Sequence, residues 1–115
     1  MTSAGMGGRL AAELLELPVR LHGIQLGRPL DALVDLEDDR LIGFELLCGD
    51  EARRFLPFSV ARVREAEIAV ESALTLIDER DLDFYLRRSR RLSDLAYAEP
   101  VVDERGAIHE ARSAA

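Results

Sequence analysis

The sequence predicts a mainly β protein, a small barrel of about six short antiparallel strands with a short N-terminal helix and a C-terminal helix. Three observations predict it. Leu30, Ala32, Val34 and Leu36 recur at every second position, and so do Ile42, Phe44, Leu46 and Cys48, which is the period of a strand with one face turned to a core. Turn-forming residues separate these runs, with Asp38-Asp39 after the first and Gly49-Asp50 after the second. Val60, Val63, Ile68 and Val70, after Pro57, supply further short strand material.

Each element can be justified in order. Residues 1–9 hold several Gly and small polar residues and read as a flexible tail. Residues 10–77 form the barrel-like domain. Its first piece, Leu10 to Leu17, has helical composition, with Leu10, Leu14 and Leu17 on one face. Pro18 stops it, because the residue before proline disfavours the α region. Val19 to Leu21 is a short strand, and Gly23 and Gly27 mark a turn and a bend.

The central hairpin has a predicted register. If both apolar sets face one interior, Leu36 lies opposite Ile42, Val34 opposite Phe44 and Ala32 opposite Leu46. A slip of one residue would invert every side chain, so the loop must hold an odd number of residues. Such loops need a left-handed residue, and Asp39 suits it because Asp tolerates that region. For the next hairpin, a two-residue turn at Gly49-Asp50 pairs Cys48 with Glu51. That register sets Phe44 beside Phe55 on the inner face and Glu45 beside Arg54 on the outer face, both favourable pairings.

Residues 78–92 make the C-terminal helix, whose pattern runs from Ile77 to Arg91. Asp78, Asp81 and Asp83 load its start with acid, and Arg87, Arg88, Arg90 and Arg91 load its end with base, matching the helix macrodipole. Leu82, Tyr85, Leu86 and Ser89 form a narrow face directed at the barrel, while Phe84 points away from it. Residues 93–115 then read as the truncated start of a second repeat, since Pro100-Val101 echoes Pro18-Val19. Its strand at Glu99 to Asp103 would leave backbone groups unpaired. It therefore either adds to the edge of its own barrel or of another subunit, as in a symmetric homodimer, or frays.

Composition sets further bounds. The chain of 115 residues fits one domain, and 48% apolar with 32% charged residues is ordinary for a globular protein. A net charge of −7 argues against general attraction to nucleic acid or anionic lipid. All 15 basic residues are Arg. Cys48 is the single cysteine, which leaves no internal disulfide framework. No apolar run approaches the ~18 residues that span a bilayer, and no secretory leader pattern is present. A cytoplasmic protein without direct membrane insertion is expected.

Leu26-Gly27-Arg28, Asp35, Arg40, Ile42-Gly43-Phe44, Phe55-Leu56-Pro57 and Ile68-Ala69-Val70 together resemble the PRC-barrel family. The resemblance spans Pro18 to Ile77, about half the chain. The sequence departs from the family at Asp39, where the family often has Gly, and the Val19 to Gly23 segment is one residue shorter. PRC barrels include the cytoplasmic domain of the photosynthetic reaction-centre H subunit and the C-terminal half of a ribosome-maturation factor. The resemblance implies a docking or structural module, because those relatives serve different systems.

The residues that could carry chemistry do not assemble into a catalytic pattern. Asp35, Glu37 and Asp39 alternate like calcium-loop ligands, but Arg40 stands where that loop needs Gly and Leu46 where it needs Glu. A solvated acidic turn is the simpler reading. His22 and His109 lack neighbours at ligand spacing, and Cys48 falls on the apolar phase of its strand, where it acts as a small hydrophobe. Neither an enzyme, a cofactor nor a metal is expected. Candidate partner contacts are Phe84, Tyr85, Arg87, Arg88 and Arg91 on the helix, since aromatics and Arg dominate binding hot spots, and Val101 and Val102 on the last strand. The Arg cluster could also meet phosphates, although residues 78–115 remain net acidic. The sequence thus points to a protein-interaction or scaffold module, with a ribosome- or RNA-associated factor and an accessory subunit of a membrane-bound complex as alternatives.

Overall fold

A computed structural model describes residues 8–110. The part of the expected flexible tail at residues 1–7 lies outside them, as do residues 111–115 of the last segment. The described strands are β1 (Arg9–Leu10), β2 (Val19–Leu21), β3 (Ile24–Asp35), β4 (Leu41–Cys48), β5 (Arg53–Pro57), β6 (Arg62–Val63), β7 (Ile68–Val70), β8 (Ser89–Arg91), β9 (Pro100–Val102) and β10 (Ile108–Glu110). Among the described residues two α-helices, α1 (Ala11–Leu14) and α2 (Glu79–Arg87), and three short 3-10 turns join them. The large sheet runs β5-β4-β3-β2-β7-β6, with β8 also on β3, and a small sheet runs β1-β9-β10.

The fold is therefore mainly β, but its sheets do not close into a continuous barrel, and the strands are not all antiparallel. β2 and β7 pair in parallel, Val19 opposite Ile68. The N-terminal helix is a single turn, since Leu10 is taken by β1 and Pro18 follows closely. The C-terminal helix is also shorter than expected. It ends at Arg87, and Ser89–Arg91 turns into β8, lying against Asp35, Val34 and Leu33 of β3. The stretch of β3 beyond its pairing with β2 offers an open edge there, and β8 fills it.

The main core contains Val19, Ala32, Val34, Leu41, Phe44, Leu46, Leu56, Ile68 and Val70. Val34 and Phe44 thus share one interior, but the register differs from expectation. Ala32 faces Phe44, and Val34 faces Leu41. The Asp35 amide donates to the Arg40 carbonyl (2.8 Å), which closes the loop over Leu36–Asp39. That loop is even, and a bulge at Ile42 supplies the odd residue that keeps the apolar sets in phase. Leu36 leaves the sheet and is 49% exposed, and a second bulge after Pro29 turns Leu30 outward. Asp39 does adopt the left-handed region, with φ of 54°. In the loop, Asp35 Oδ1 accepts from the Glu37 amide (2.7 Å).

The second hairpin is displaced by one residue. Cys48 pairs with Ala52, so the loop is Gly49-Asp50-Glu51, with Glu51 at φ of 69°. Asp50 selects this loop. Its Oδ1 accepts from the Ala52 amide (3.0 Å), and Arg54 donates to both its oxygens (3.0 and 2.9 Å). Phe44 consequently faces Leu56, and Phe55 faces Glu45. Phe55 is on the outer side of the sheet, yet buried, because α2 covers that side. Leu33, Phe55 and Leu82 form a second small core with Ile42, Ile77, Tyr85 and Leu86 against it. Leu82, Tyr85 and Leu86 of the predicted helix face are thus the residues that dock.

The C-terminal segment docks within its own chain. β9 is paired on both edges, with β1 and with β10, and Val102 lies in the main core. Within the chain, β1 and β10 occupy both ladders of β9. A Cβ at Gly43 would run into the Leu56 carbonyl and meet the Phe55 ring at 2.6 Å.

Two outcomes follow from these packings. Gly43→Ala should destabilise the fold by about 3 kcal/mol in urea denaturation, since neither backbone nor buried ring can yield freely. The bonds from Arg54 and from the Ala52 amide hold the Asp50 carboxyl at about 2, below its ordinary 3.8. A folded value below the unfolded one gives stability that is present above 3.8 and lost as pH falls through about 2. The stability gap between wild type and Asp50→Asn, followed by thermal melts, should therefore narrow from pH 5 to pH 2.

Candidate interaction surface

α2 is fixed from three directions. At its start, the Asp78 carbonyl accepts from the Asp81 and Leu82 amides (2.9 and 3.0 Å). Glu79 and Asp81 stand in the first turn and Arg87 in the last, in line with the macrodipole. Glu79 Oε1 accepts from the Arg53 amide (3.2 Å), tying the helix to β5. On its inner side, Tyr85 stacks on Phe55 with ring centroids 4.4 Å apart. Phe55 itself exchanges two backbone bonds with Ile77 (2.9 and 2.8 Å). At its end, the Ser89 hydroxyl donates to the Tyr85 carbonyl (2.7 Å), and the chain passes into β8.

Beneath the β8 end lies a buried carboxylate. Glu45, on β4, is 2% exposed. Arg53 Nη1 donates to its Oε2 (2.8 Å), and Arg91 Nε donates to its Oε1 (3.0 Å). Asp31 sits opposite Glu45 in the β3–β4 register and is buried too. Its carboxylate accepts from the Ala32 amide (2.8 Å) and from the Ser93 hydroxyl (2.5 Å). Two facing carboxylates would repel. Arg91 offsets this, and its bonds to Glu45 raise its own pKa, with the Asp31 charge adding to the effect. This network was not foreseen from the sequence. The signal for it was the odd phase of Asp31 and Glu45 among residues read as facing solvent.

The outward side of α2 carries the exposed groups. Phe84 is 51% exposed. The Arg88 guanidinium lies 4.1 Å above its ring, and Tyr85 meets it edge-on at 5.1 Å. Arg87 pairs with Asp83 (2.5 Å). Among the described residues, no carboxylate pairs with Arg88 or Arg90, whereas Arg87 and Arg91 are engaged.

The expected contact residues thus separate. Phe84, Arg87 and Arg88 share the outer side of α2. Tyr85 is half-buried as the link between Phe84 and Phe55, and Arg91 belongs to the internal Glu45 pair. Val101 pairs with Leu10 and His109 in the small sheet, and Val102 is buried. His22 sits at the β2–β3 turn with φ of 50°. His109 Nε2 lies 3.0 Å from Asp103 Oδ2, a contact that lowers the Asp103 pKa. Cys48 is buried. Among the described residues, no three His, Cys, Asp or Glu side chains group closely enough to hold a metal, and no helix is long and apolar enough to cross a membrane.

Arg91→Leu should cost about 3 kcal/mol in urea denaturation, because it leaves the buried Glu45 carboxylate with Arg53 alone. Pairing it with Glu45→Leu should recover part of that loss, a sign of coupling that a double-mutant cycle reads directly. No family model matches the chain, and none of the curated proteins compared with it matches.

Proposed function

We propose that this chain is a non-catalytic protein-interaction or scaffold module of the PRC-barrel type, and that it meets its partner with the outer side of α2. One observation carries the reading. The inner side of α2 is locked into the second core, while Phe84 stands half-exposed under the Arg88 guanidinium. A rigid helix that presents an aromatic ring and an unpaired cation loses little freedom on binding, and aromatic and Arg side chains supply most hot-spot energy. The barrel-type reading also belongs to this proposal. It rests on the residue pattern between Pro18 and Ile77 and on the way the small sheet sits over the main core. A cytoplasmic setting is part of it as well, supported by the single buried cysteine.

A ribosome- or RNA-associated role is the second reading, favoured by Arg88 and Arg90 standing clear of carboxylates. Filter binding across salt separates the two, since phosphate contacts weaken steeply as salt rises. An accessory role in a membrane-bound complex rests on family likeness alone.

Phe84→Ala should change stability by about 1 kcal/mol or less, the scale of a partly exposed cation–ring contact. Captures from native lysate with immobilised wild type, Phe84→Ala and Arg88→Glu should show one protein retained by wild type and reduced at least tenfold with both variants. Equal recovery on all three would remove α2 as the contact.

A further inference from the structure

Among the described residues, the hydrogen bonds between the two sheets are mainly backbone bonds along one side and come from a single side chain along the other, while Ala11, Leu14 and Val102 pack into the main core. On the first side, the Leu41 amide donates to the Gly106 carbonyl (2.7 Å), Arg40 bridges Ala107, and Arg40 Nη2 donates to the Arg105 carbonyl (2.5 Å). These contacts fasten the β9–β10 loop to the start of β4. On the second side, β1 is an edge of the small sheet and β6 an edge of the large one. No ladder joins those edges among the described residues. Arg9 reaches from β1 to the loop after β6 instead, with Nη1 donating to the Arg64 carbonyl (3.0 Å) and Nη2 to the Glu65 carbonyl (3.4 Å). Glu13 sits 3.9 Å from its Nε.

A cleft of about 810 Å³ runs from Arg9 to the β9–β10 loop. Leu14, Leu41, Phe58, Val63 and Val102 line it between Arg9 and Arg105. Most of these residues belong to the main core or pack against it.

We propose that β1, β9 and β10 form a flap over the main core, hinged where the β9–β10 loop joins β4 and latched by Arg9 across the seam. The asymmetry sets the direction of motion. The hinge side carries backbone hydrogen bonds that close only one way, and the latch side carries side-chain bonds that break and re-form without disturbing a ladder. Opening at Arg9 exposes the apolar floor of the cleft, whereas α2 packs on the opposite face of the β3–β5 sheet and stays in place. Local opening of this kind draws on the least protected part of a fold.

Amide hydrogen exchange on the full chain tests this. Arg9→Ala should raise exchange in β1 and β9 at least tenfold and leave the centres of β3 and β4 unchanged. Glu13→Gln should leave β1 and β9 as in wild type, since the two carbonyls and not the carboxylate hold the latch. Arg9→Lys, which reaches one carbonyl rather than two, should fall between. With the apolar dye 1-anilinonaphthalene-8-sulfonate as probe, Arg9→Ala should bind several-fold more than wild type while its circular dichroism is native. Unchanged exchange in β1 and β9, equal acceleration in every strand, or equal dye binding by both proteins would each overturn the latch.

Discussion

The middle of β3 has no solvent face. Ala32 and Val34 point into the main core, and Leu33 between them points into the second core, so three successive residues are buried. A sheet in that position cannot be half of a one-core protein. It demands cover on its outer side, and α2 supplies it. Burying a large apolar side chain is worth roughly 1.5–3 kcal/mol, so Leu33, Phe55 and Leu82 together hold the helix far more firmly than nine residues of helix propensity could. Polar groups on the same face must then be answered as well. Asp31 and Glu45 are drawn under the cover with the apolar residues, and Ser93, Arg53 and Arg91 meet their charges and hydrogen-bonding needs.

This constraint explains which parts of the fold were legible in the sequence. The alternation of Ala32, Val34, Phe44 and Leu46 marked the main core correctly, because that face is buried throughout. The left-handed Asp39 and the docking stripe of Leu82, Tyr85 and Leu86 were legible for similar reasons, each being a local preference that nothing distant opposed. Register was not. A two-residue turn at Gly49-Asp50 satisfies local turn rules and a plausible set of cross-strand pairs, but it would point Phe55 inward and leave Leu33 and Leu82 without their largest partner. The longer loop requires Glu51 to accept a left-handed backbone, a cost of about 1–2 kcal/mol. The bonds of Asp50 to Ala52 and Arg54, with burial of Phe55, outweigh it.

The candidate surface was legible in composition and not in assignment. Aromatic and Arg side chains between Phe84 and Arg91 do cluster, but their spacing conceals that one Arg turns inward. That division depends on where the helix ends. Continued to Arg91, the helix would place Arg91 three residues beyond Arg88 on the same side, and all the Arg residues would stay near solvent. Ending it at Arg87 and pairing Ser89–Arg91 with β3 alternates them instead, with Arg91 bonded to Glu45 and Arg90 left outside. The helix stop is itself a tertiary effect, since it depends on the unpaired edge of β3, which lies more than fifty residues away in sequence.

β4 is the element on which both halves of the molecule converge. Its first residue, Leu41, holds the β9–β10 loop, and Glu45, four residues on, holds β8 and so the end of α2. The strand is paired along both edges, with β3 and β5, so it cannot bend toward one attachment without shifting the other. The faces nonetheless differ. Phe44 and Leu46 pack in the main core beneath the small sheet, while Glu45 faces the α2 side. Movement of the small sheet away from the main core strips contacts from one face of β4 and leaves the ion pairs on the other intact. The backbone of β4 between Leu41 and Glu45 is a short physical route between the seam at Arg9 and the surface at Phe84. A strand bonded on both edges is a stiff route that transmits displacement poorly. The architecture favours a presenting helix that keeps its geometry whatever the opposite side of the sheet is doing.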